Sequence, residues 1–421
     1  MKLIIYHPQG NENVRATAIG FAEAGLLSEF HTSIACFPGT ILYSIGGIGA
    51  LKEIRRRKLN ILLKPFTRTS PAIELGRLIS LKSGFRKLVK QETGAFSVEA
   101  TARVLDKKVA SGLRAAKSHG VNAVYTFEDC ALHSFTEAKR LGLYCFYDLP
   151  TGYWRAKSRI LEEEKKRLPE WENTITGLFD SPAKLDQKDQ EIKMADRIFV
   201  ASQFTASTLK DYPGVLPPVQ VVPYGFPTVG KSRDYDTNKQ GAIKLLFVGS
   251  LSQQKGIAHL FKAVNVLGDA VSLTLVGHKA HADCGVLNNE LSKHRWIPSL
   301  PHHEILQIMR EHDVLVFPSL FDGFGMVITE AMSQGTPVIA SYNSAGPDLI
   351  EHGKNGWLVE TGSAIALLEV IENLVKHPEL IGKAGIGAME TARMRPWSIF
   401  QQELSDAIKQ HSYSLNEIVK V

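Results

Sequence analysis

The chain has few cysteines and no long hydrophobic run. Its 421 residues include four cysteines, none in CxxC spacing, so neither a disulfide framework nor a cysteine zinc site is indicated. No apolar run approaches the roughly 20 residues of a membrane span. Residues 1–25 open with strand-like residues rather than a charged-then-apolar export signal. We therefore expect a protein of the reducing cytoplasm.

Charge is neither scarce nor strongly one-sided. Charged residues make up 22% of the chain and hydrophobic residues 44%, as in ordinary globular proteins, and the length allows two domains. The net charge of +6 is modest, but residues 51–90 contain twelve Lys or Arg and two Glu. This basic segment is either a solvated helical face or a surface that docks on anionic lipid headgroups. It lacks the aromatic pattern of nucleic-acid sites, so no nucleic-acid partner is expected.

Strand-like and helical patterns alternate along the chain, which predicts βαβ units, parallel sheets and the α/β class. Residues 228–240 are polar and aperiodic, so we predict a linker between domains at 1–227 and 241–396. Strands of the second domain are predicted at the runs KLLFVGS, LTLVG, VLVFP and PVIAS. In the first domain, GGIG at 46–49 lacks the GxGxxG spacing of a dinucleotide-binding site, so no such site is expected. Strands of the first domain are predicted near Leu3–His7, Ser33–Phe37, Ala123–Phe127, Tyr144–Tyr147, Ile198–Ala201 and Val219–Val222.

The segment FPSLFDGFGMVITEAMSQGTPVIAS, residues 317–341, carries the clearest functional signal. It predicts a buried strand, a glycine turn, a helix and a second apolar strand. A helix that begins after glycines presents free N–H groups and the positive end of its dipole, which suits a diphosphate. Asp322 precedes the glycines and Glu330 lies about a turn and a half into the helix, where both can accept from hydroxyl groups. Such a pattern indicates a sugar nucleotide.

This arrangement resembles the retaining glycosyltransferases of the GT-B fold, family four, also called glycosyltransferase group 1. The family signature E-G-F-G-x4-E-A-M is matched by Asp322-Gly323-Phe324-Gly325 and Glu330-Ala331-Met332. The resemblance implies two Rossmann-like parallel-sheet domains facing a cleft, the first for the acceptor and the second for the nucleotide sugar. It also implies that the C-terminal helix, 397–412, crosses back to the first domain. Further family-like segments follow in order: ADRIFVASQFTASTL (195–209), VVPYGFP (221–227), FVGSLSQQKGIAHL (247–260), LTLVGHKA (273–280) and GPDLIEHGKNGWLVE (346–360).

The resemblance assigns most donor contacts to the second domain. Lys255 would stabilise the departing diphosphate, and Glu330 would accept from the ribose hydroxyls. Asp322, one methylene shorter than the family's Glu, would act near the donor sugar, and Ser250 stands where the family commonly has Arg. Ile297 or Trp296 would flank the base. The expected donor-binding set is completed by Gly249, Gly323, Phe324, Gly325, Met326 and Val327.

In the first domain, Gly10 and Asn11 correspond to the family's glycine pair beside the donor phosphate and the acceptor. The family often has a His in the loop after residues 144–147, and Asp148 is the catalytic residue expected in its place. Three residues after the preceding strand could take this role instead: Glu128, Asp129 and His133.

The implied reaction retains the anomeric configuration. The diphosphate leaves toward Lys255 and the helix start, and the acceptor hydroxyl enters on the same face and gives its proton to the departing phosphate. No metal and no cofactor is expected, and no DxD motif follows a predicted strand. Positioning and charge stabilisation would then be the protein's contribution.

We therefore predict an enzyme, a retaining hexosyltransferase of EC class 2.4. It would move sugar from a nucleotide donor, a UDP-sugar, to a glycan or lipid-linked acceptor in polysaccharide or glycolipid biosynthesis. It would be cytoplasmic, and peripheral at the inner face of the membrane if segment 51–90 binds lipid. The departures from the family also allow a non-catalytic sugar-nucleotide-binding homologue. The same sequence is compatible with a GT-B sugar-nucleotide epimerase, and the basic segment with a membrane-surface adaptor.

Overall fold

Two parallel sheets, each flanked by helices, organise the chain. The computed structural model describes residues 1–40, 43, 57–175, 177–235, 241–280 and 284–418, with side chains described as far as residue 411. The first sheet contains β1 (Leu3–Tyr6), β2 (Leu27–Thr32), β3 (Thr67–Thr69), β4 (Ala123–Phe127), β5 (Tyr144–Leu149), β6 (Arg197–Val200) and β7 (Val219–Val221). Its strand order is β3-β2-β1-β4-β5-β6-β7, and its paired strands run parallel.

The second sheet repeats this architecture with six strands. It contains β8 (Ile243–Val248), β9 (Val271–Val276), β10 (Arg295–Ile297), β11 (Val314–Phe317), β12 (Val338–Ser341) and β13 (Gly356–Val359). The order is β10-β9-β8-β11-β12-β13, again parallel. The four strands predicted for this domain are confirmed as β8, β9, β11 and β12. The two Rossmann-like domains expected from the resemblance are therefore present.

Helices connect the strands and cover both sheets. In the first half they are α1 (Glu12–Glu23), α2 (Ala72–Lys82), α3 (Val98–Ser118), α4 (Leu132–Leu141), α5 (Trp154–Arg167), α6 (Pro182–Met194) and α7 (Gln203–Thr208). In the second half they are α8 (Ile257–Leu267), α9 (Gly285–Leu291), α10 (His302–Glu311), α11 (Met326–Ser333), α12 (Gly346–Leu349), α13 (Ala364–Lys376), α14 (Glu379–Met394) and α15 (Trp397–Ile418). This alternation gives the three-layer α/β arrangement that long parallel sheets require.

The second strand of the chain differs from its prediction. A strand was expected near Ser33–Phe37, but β2 is Leu27–Thr32 and the chain leaves the sheet after it. The polar residues Ser28 and Glu29 between Leu27 and Phe30 hide this strand from a search for alternating apolar residues. Parallel pairing with β1 and burial of Leu27 and Phe30 fix it in place.

The C-terminal helix α15 crosses back to the first domain, as the resemblance implied. Its residues Phe400, Leu404 and Ile408 are buried and share a hydrophobic core with Phe21 of α1. His411 makes edge contacts with Phe146 of β5 at 5.3 Å between ring centroids. The last helix therefore ties the second domain to the first sheet.

A second connection between the domains is a segment of the first domain that packs on the second. The end of α5 and the short helix Pro169–Thr174 lie within the range predicted for the first domain, yet Leu168 and Trp171 belong to the core of the second. Glu164 of α5 is buried and accepts a hydrogen bond from Gln253 Nε2 at 2.5 Å. This segment fastens the two domains together beside the loop that carries Lys255.

Parts of two predicted features fall outside the described residues. Within the predicted linker, 228–240, residues 236–240 are not described; its described part packs on the second domain, where Tyr235 Oη donates to the Gly335 carbonyl at 2.6 Å. GGIG at 46–49 and residues 51–56 of the basic segment also lie outside the description. Among the described helices, none combines the length and apolar character that crossing a bilayer needs.

Candidate functional site

A cavity of about 580 Å³ lies where the strand order of both sheets reverses. The reversals fall between β1 and β4 in the first sheet and between β8 and β11 in the second. The cavity is lined by His7 after β1, Phe127 of β4, Gly249 after β8 and Phe317 of β11. Connections leave to opposite sides at such a point, which opens a crevice at the carboxyl ends of the strands. Here the two crevices share one cavity between the domains.

The glycine turn before α11 forms one wall. Gly325 caps this helix at φ 85°, a left-handed conformation that favours glycine, and a Cβ there would lie 2.8 Å from the Phe317 ring. Because a helix leaves its first N–H groups without intrahelical partners, the start of α11 offers donors to an anion. Gly325, Met326 and Val327 all line the cavity.

Gly323 belongs to the same turn but faces the other domain. Its carbonyl accepts hydrogen bonds from Ser202 Oγ at 2.5 Å and from Thr205 Oγ1 at 2.8 Å. A Cβ at Gly323 would lie 2.2 Å from the Pro150 carbonyl oxygen, so a side chain would push the two domains apart. Gly323 therefore fastens the turn to the first domain and does not line the cavity.

Lys255 and Asp322, both predicted to be catalytic, lie together in the cavity wall. The Lys255 ammonium forms an ion pair with Asp322 Oδ2, and it lies 5.6 Å from the centre of the Phe317 ring. The other carboxylate oxygen, Oδ1, accepts from the Phe324 amide at 3.2 Å, which holds the turn in shape. The Lys255 cation and the start of α11 thus line the same cavity.

Glu330 also lines the cavity, with 18% of its side chain exposed. Its Oε1 hydrogen-bonds with Nε2 of His302, the first residue of α10, at 3.0 Å. This bond, partly offset by burial, raises the pKa of His302 above its ordinary value, and the charges of Glu330 and Glu12 add to the effect. Glu330 therefore already has an imidazole partner that competes for its hydrogen-bonding capacity.

The first-domain wall is built by short loops. Asn11 lines the cavity at the start of α1, with Glu12, Asn13 and Val14 after it. Gly10 lies behind Asn11 and is buried, and its amide points at His7 instead of the cavity. The remaining first-domain contacts come from Phe127, Pro150, Thr151 and Tyr224.

His7 lines the cavity and was not singled out from the sequence. Its Nδ1 accepts from the amides of Gln9 at 3.1 Å and Gly10 at 3.2 Å, and its ring meets Phe127 edge-on. Burial, followed by the charge of Arg57, lowers the pKa of His7 to about 4, so the imidazole is neutral at pH 7. The signal that could have found it is its position, directly after the first strand of a parallel sheet.

Asp148 lies away from the cavity. It is buried in β5, where its Oδ2 accepts from Tyr125 Oη at 2.7 Å, and burial raises its pKa to about 7. The three residues named in its stead do not line the cavity either. Glu128 is bound to Thr151 at 2.7 Å, and Asp129 pairs with Lys188 at 2.9 Å. His133 is the second residue of α4 and lines a separate surface pocket.

Two further predicted donor contacts lie outside the cavity lining. Ser250 follows Gly249 but is exposed to solvent. Ile297 is half-buried in β10, beside Trp296, whose Nε1 donates to the Gly277 carbonyl at 2.9 Å. The cavity thus brings together these predicted residues: Asn11, Gly249, Lys255, Asp322, Phe324, Gly325, Met326, Val327 and Glu330.

Sequence comparison places the second domain among known proteins. The family described as glycosyl transferases group 1 matches residues 231–388. The amylovoran biosynthesis glycosyltransferase AmsK of Erwinia amylovora is 29% identical over 145 residues, which are 31% of this chain and 36% of AmsK. The alpha-maltose-1-phosphate synthase of Mycolicibacterium smegmatis is 29% identical over 168 residues, covering 34% of this chain and 41% of the synthase. The matches therefore span about two fifths of the length of these relatives.

Structural comparison extends the likeness to both domains. Sucrose-phosphate synthase from Thermosynechococcus elongatus superimposes with a TM-score of 0.64 at 16% identity, covering 98% of this chain and 100% of that one. HepE from Anabaena, in complex with UDP, gives a TM-score of 0.59 at 16% identity over 97% of this chain and 100% of its own. At such identities the likeness establishes the fold, which is GT-B. The sequence likeness to the glycosyl transferases of group 1 extends over residues 231–388, the part of the chain that contains the second sheet.

Proposed function

We propose that this protein is a retaining glycosyltransferase that moves a sugar from a UDP-sugar to a glycan or lipid-linked acceptor. The observation that carries the proposal is one cavity, at the switch points of two sheets, that contains Lys255, the start of α11 and Glu330. A cation and free helix N–H groups suit a diphosphate, and a carboxylate suits ribose hydroxyls. The setting in polysaccharide or glycolipid biosynthesis is suggested by AmsK, the amylovoran biosynthesis relative.

The donor is proposed to lie along the second-domain wall. Its diphosphate would bind the N–H groups of Met326 and Val327 and draw the Lys255 ammonium out of its ion pair with Asp322. Asp322 would then be free to accept from a sugar hydroxyl, and Glu330 would exchange His302 for the ribose. The Lys255–Asp322 pair thus holds both side chains in place until the donor arrives.

The chemistry is proposed to depend on leaving-group stabilisation. As the bond between the anomeric carbon and the phosphate oxygen breaks, negative charge grows on the diphosphate beside Lys255 and the positive end of α11. The acceptor hydroxyl forms the new bond on the same face and gives its proton to the departing phosphate oxygen. No protein carboxylate forms a bond to the sugar in this sequence, and no metal ion or cofactor takes part.

Donor identity is testable by ligand-induced stabilisation. HepE has been solved with UDP-glucose, which makes UDP-sugars the first choice. We expect a UDP-sugar to raise the Tm in a panel of UDP-, GDP- and ADP-sugars, because ligand that binds the folded state stabilises it by mass action. NMR of the product should then show the anomeric configuration of the donor. A response to GDP- or ADP-sugars would contradict the choice of base, and an inverted product would contradict retention.

Rival functions give different results in the same assays. A non-catalytic homologue would gain stability with a nucleotide sugar but release no nucleotide with any acceptor. An epimerase would convert the donor with no acceptor present. Either result would overturn the transferase proposal.

We further propose that the protein works at the inner face of the cytoplasmic membrane. Large apolar side chains are exposed on α2, at Leu75 and Ile79, and at Phe85 just before the short helix Arg86–Val89. Lysines and arginines lie between them, so apolar insertion and attraction to anionic headgroups would act on one surface. The exposed basic residues of these two helices are Lys82, Arg86 and Lys87, whereas Arg77 is mostly buried and pairs with Glu74.

Vesicle sedimentation tests this location. We expect binding to vesicles that contain phosphatidylglycerol and little binding to pure phosphatidylcholine vesicles, since each basic residue near an anionic surface adds about 1 kcal/mol. The double variant Leu75→Ser/Ile79→Ser should weaken binding. Val215→Ser, at an apolar residue that is 94% exposed elsewhere on the first domain, is the matched control. Equal sedimentation of wild type and double variant would refute the docking surface.

A further inference from the structure

His7 is a polar group in the first-domain wall that none of the roles above uses. It follows β1 directly and shares the cavity lining with Lys255, Asp322 and Gly325 of the second domain. Its backbone amide donates to the His31 carbonyl at 3.1 Å, and its ring packs edge-on against Phe127 at 5.3 Å between ring centroids. The first contact holds the backbone at His7, and the second, with the two hydrogen bonds to Nδ1, restrains the imidazole before any substrate binds.

The hydrogen bonds at Nδ1 determine where the ring proton lies. The amides of Gln9 and Gly10 can only donate, so Nδ1 must accept from both and cannot carry a proton. In a neutral imidazole the proton is then on Nε2. This N–H has no hydrogen-bond partner among the described residues. His7 therefore presents one fixed donor.

The surroundings also keep His7 neutral. Arg57 lies close enough to oppose a second positive charge, and its guanidinium pairs with the buried Glu74 and reaches toward the Gln9 carbonyl. Together with burial, this charge lowers the pKa of His7 to about 4. Across pH 5 to 8 the ring keeps its proton at Nε2 and its acceptor at Nδ1 occupied. It has no free lone pair with which to act as a base.

We propose that His7 donates a hydrogen bond from Nε2 to a hydroxyl group of the transferred sugar. The inference rests on the proposed function, in which the second-domain wall holds the diphosphate and the ribose. The sugar then extends from the diphosphate toward the first-domain wall, where His7 stands opposite Lys255 and Asp322. A donor on one side and the Asp322 carboxylate on the other would together fix the orientation of the sugar ring.

The role has a mechanistic consequence. Because His7 only donates, it removes no proton from the acceptor, and the departing phosphate oxygen remains the base. His7 is thus a substrate-positioning group whose bond helps most when the sugar reaches its reactive orientation. Its loss should lower kcat more than it raises the KM for the donor.

Two variants separate the N–H from the shape of the ring. His7→Phe keeps a flat ring against Phe127 and removes the donor, whereas His7→Gln keeps an N–H near the position of Nε2. With UDP-glucose as the probe and water as the acceptor, we expect kcat for UDP release to fall about 10- to 100-fold in His7→Phe, the range of one or two lost hydrogen bonds. The kcat of His7→Gln should lie between those of His7→Phe and the wild type. Stabilisation by UDP, which has no sugar, should be unchanged in both.

The outcomes are distinguishable. A His7→Phe variant with the kcat of the wild type overturns the role of His7 and leaves the proposed function intact. A wild-type protein that neither binds nor hydrolyses UDP-glucose or any other sugar of the panel overturns the proposed function and this inference with it. Nitrogen-15 NMR of His7 is independent of turnover and of variant folding. We expect protonated Nε2 and unprotonated Nδ1 from pH 5.5 to 8, and a proton on Nδ1 or titration within that range would refute the donor assignment.

Discussion

The two walls of the cavity are built in different ways. The second-domain wall comes from two continuous segments, Gly249 to Lys255 and Asp322 to Glu330, each a strand end followed by a helix start. The first-domain wall is assembled from His7, Asn11, Thr151 and other residues that are far apart in sequence. In the proposed function, local strand–turn–helix geometry holds the nucleotide diphosphate, whereas binding of the sugar and its acceptor depends on tertiary contacts. We infer that the second-domain wall, built from local segments, serves one type of donor chemistry. The first-domain wall, built from dispersed residues, can vary with the acceptor.

Loss of Lys255 should have the largest effect. Lys255→Ala removes the cation beside the proposed leaving group, so we expect kcat to fall about 10²- to 10³-fold, as for other charge-stabilising donors. The matched control is Lys262→Ala, an exposed lysine on α8 of the same domain. Steady-state release of UDP from UDP-glucose measures both. A decrease below tenfold would show that the second-domain wall does not carry the chemistry.

Loss of Glu330 should weaken donor binding. We expect Glu330→Ala to raise the Kd for UDP about 10- to 100-fold, because hydrogen bonds to a charged group contribute about 1.5 to 3 kcal/mol. Glu304→Gln on α10, near His302 but exposed, should leave the Kd unchanged. Calorimetric titration with UDP measures the difference. An unchanged Kd in Glu330→Ala would show that this carboxylate does not bind the ribose.

Donor affinity should also depend on pH through His302. Its raised pKa means that protonated His302 holds Glu330 at low pH, and the bond weakens as the pH rises past that pKa. Since Glu330 is then freer to accept from ribose, affinity for UDP-glucose should increase about two- to fivefold from pH 6 to 8.5, within the range of an exposed ion pair. His302→Gln should flatten the profile. The stabilising contribution of the pair to folding follows the opposite course, being present below pH 6.5 and lost at higher pH.

The smallest effect on turnover is expected at Asp148. Because its carboxyl lies inside the first sheet, Asp148→Asn should keep kcat within about twofold while preserving an acceptor for Tyr125. The folded pKa of Asp148, about 7, exceeds its unfolded value, so its neutral form stabilises the fold at low pH and this contribution is lost as the pH rises toward 7. The variant should therefore melt about 2 to 4 °C above the wild type at pH 8 and match it near pH 4. A large loss of kcat would restore the catalytic role predicted from the sequence.

The contrast between the walls also explains what the sequence could predict. Asp322, Gly325 and Glu330 line one cavity, and nine consecutive residues already contain the turn and the helix that position them. The strands of the second domain were found for the same reason, as continuous apolar runs. The local sequence pattern is sufficient to predict the structure where strand, turn and helix follow each other without interruption.

Long-range contacts account for the rest. Asp148 stands at the expected place in the chain, but pairing between β4 and β5 directs its side chain to Tyr125. His7 was overlooked because its role depends on β1 lying next to β4 and on the opposing domain. Likewise, nothing in residues 164–171 signals that Leu168 and Trp171 complete the core of the second domain. The surroundings of these residues depend on which strands and domains pack together, and local sequence patterns do not reveal that packing.

The hold of Ser202 and Thr205 on the Gly323 carbonyl has one more consequence. The turn proposed to receive the anion is anchored by hydroxyls of the first domain, so any rotation between the domains must either break these bonds or carry the turn along. Binding of an anion at this turn and the angle between the two domains are then thermodynamically linked. Each changes the equilibrium of the other by the same free energy. Substitutions at Ser202, which does not line the cavity, should therefore alter the affinity for the proposed nucleotide.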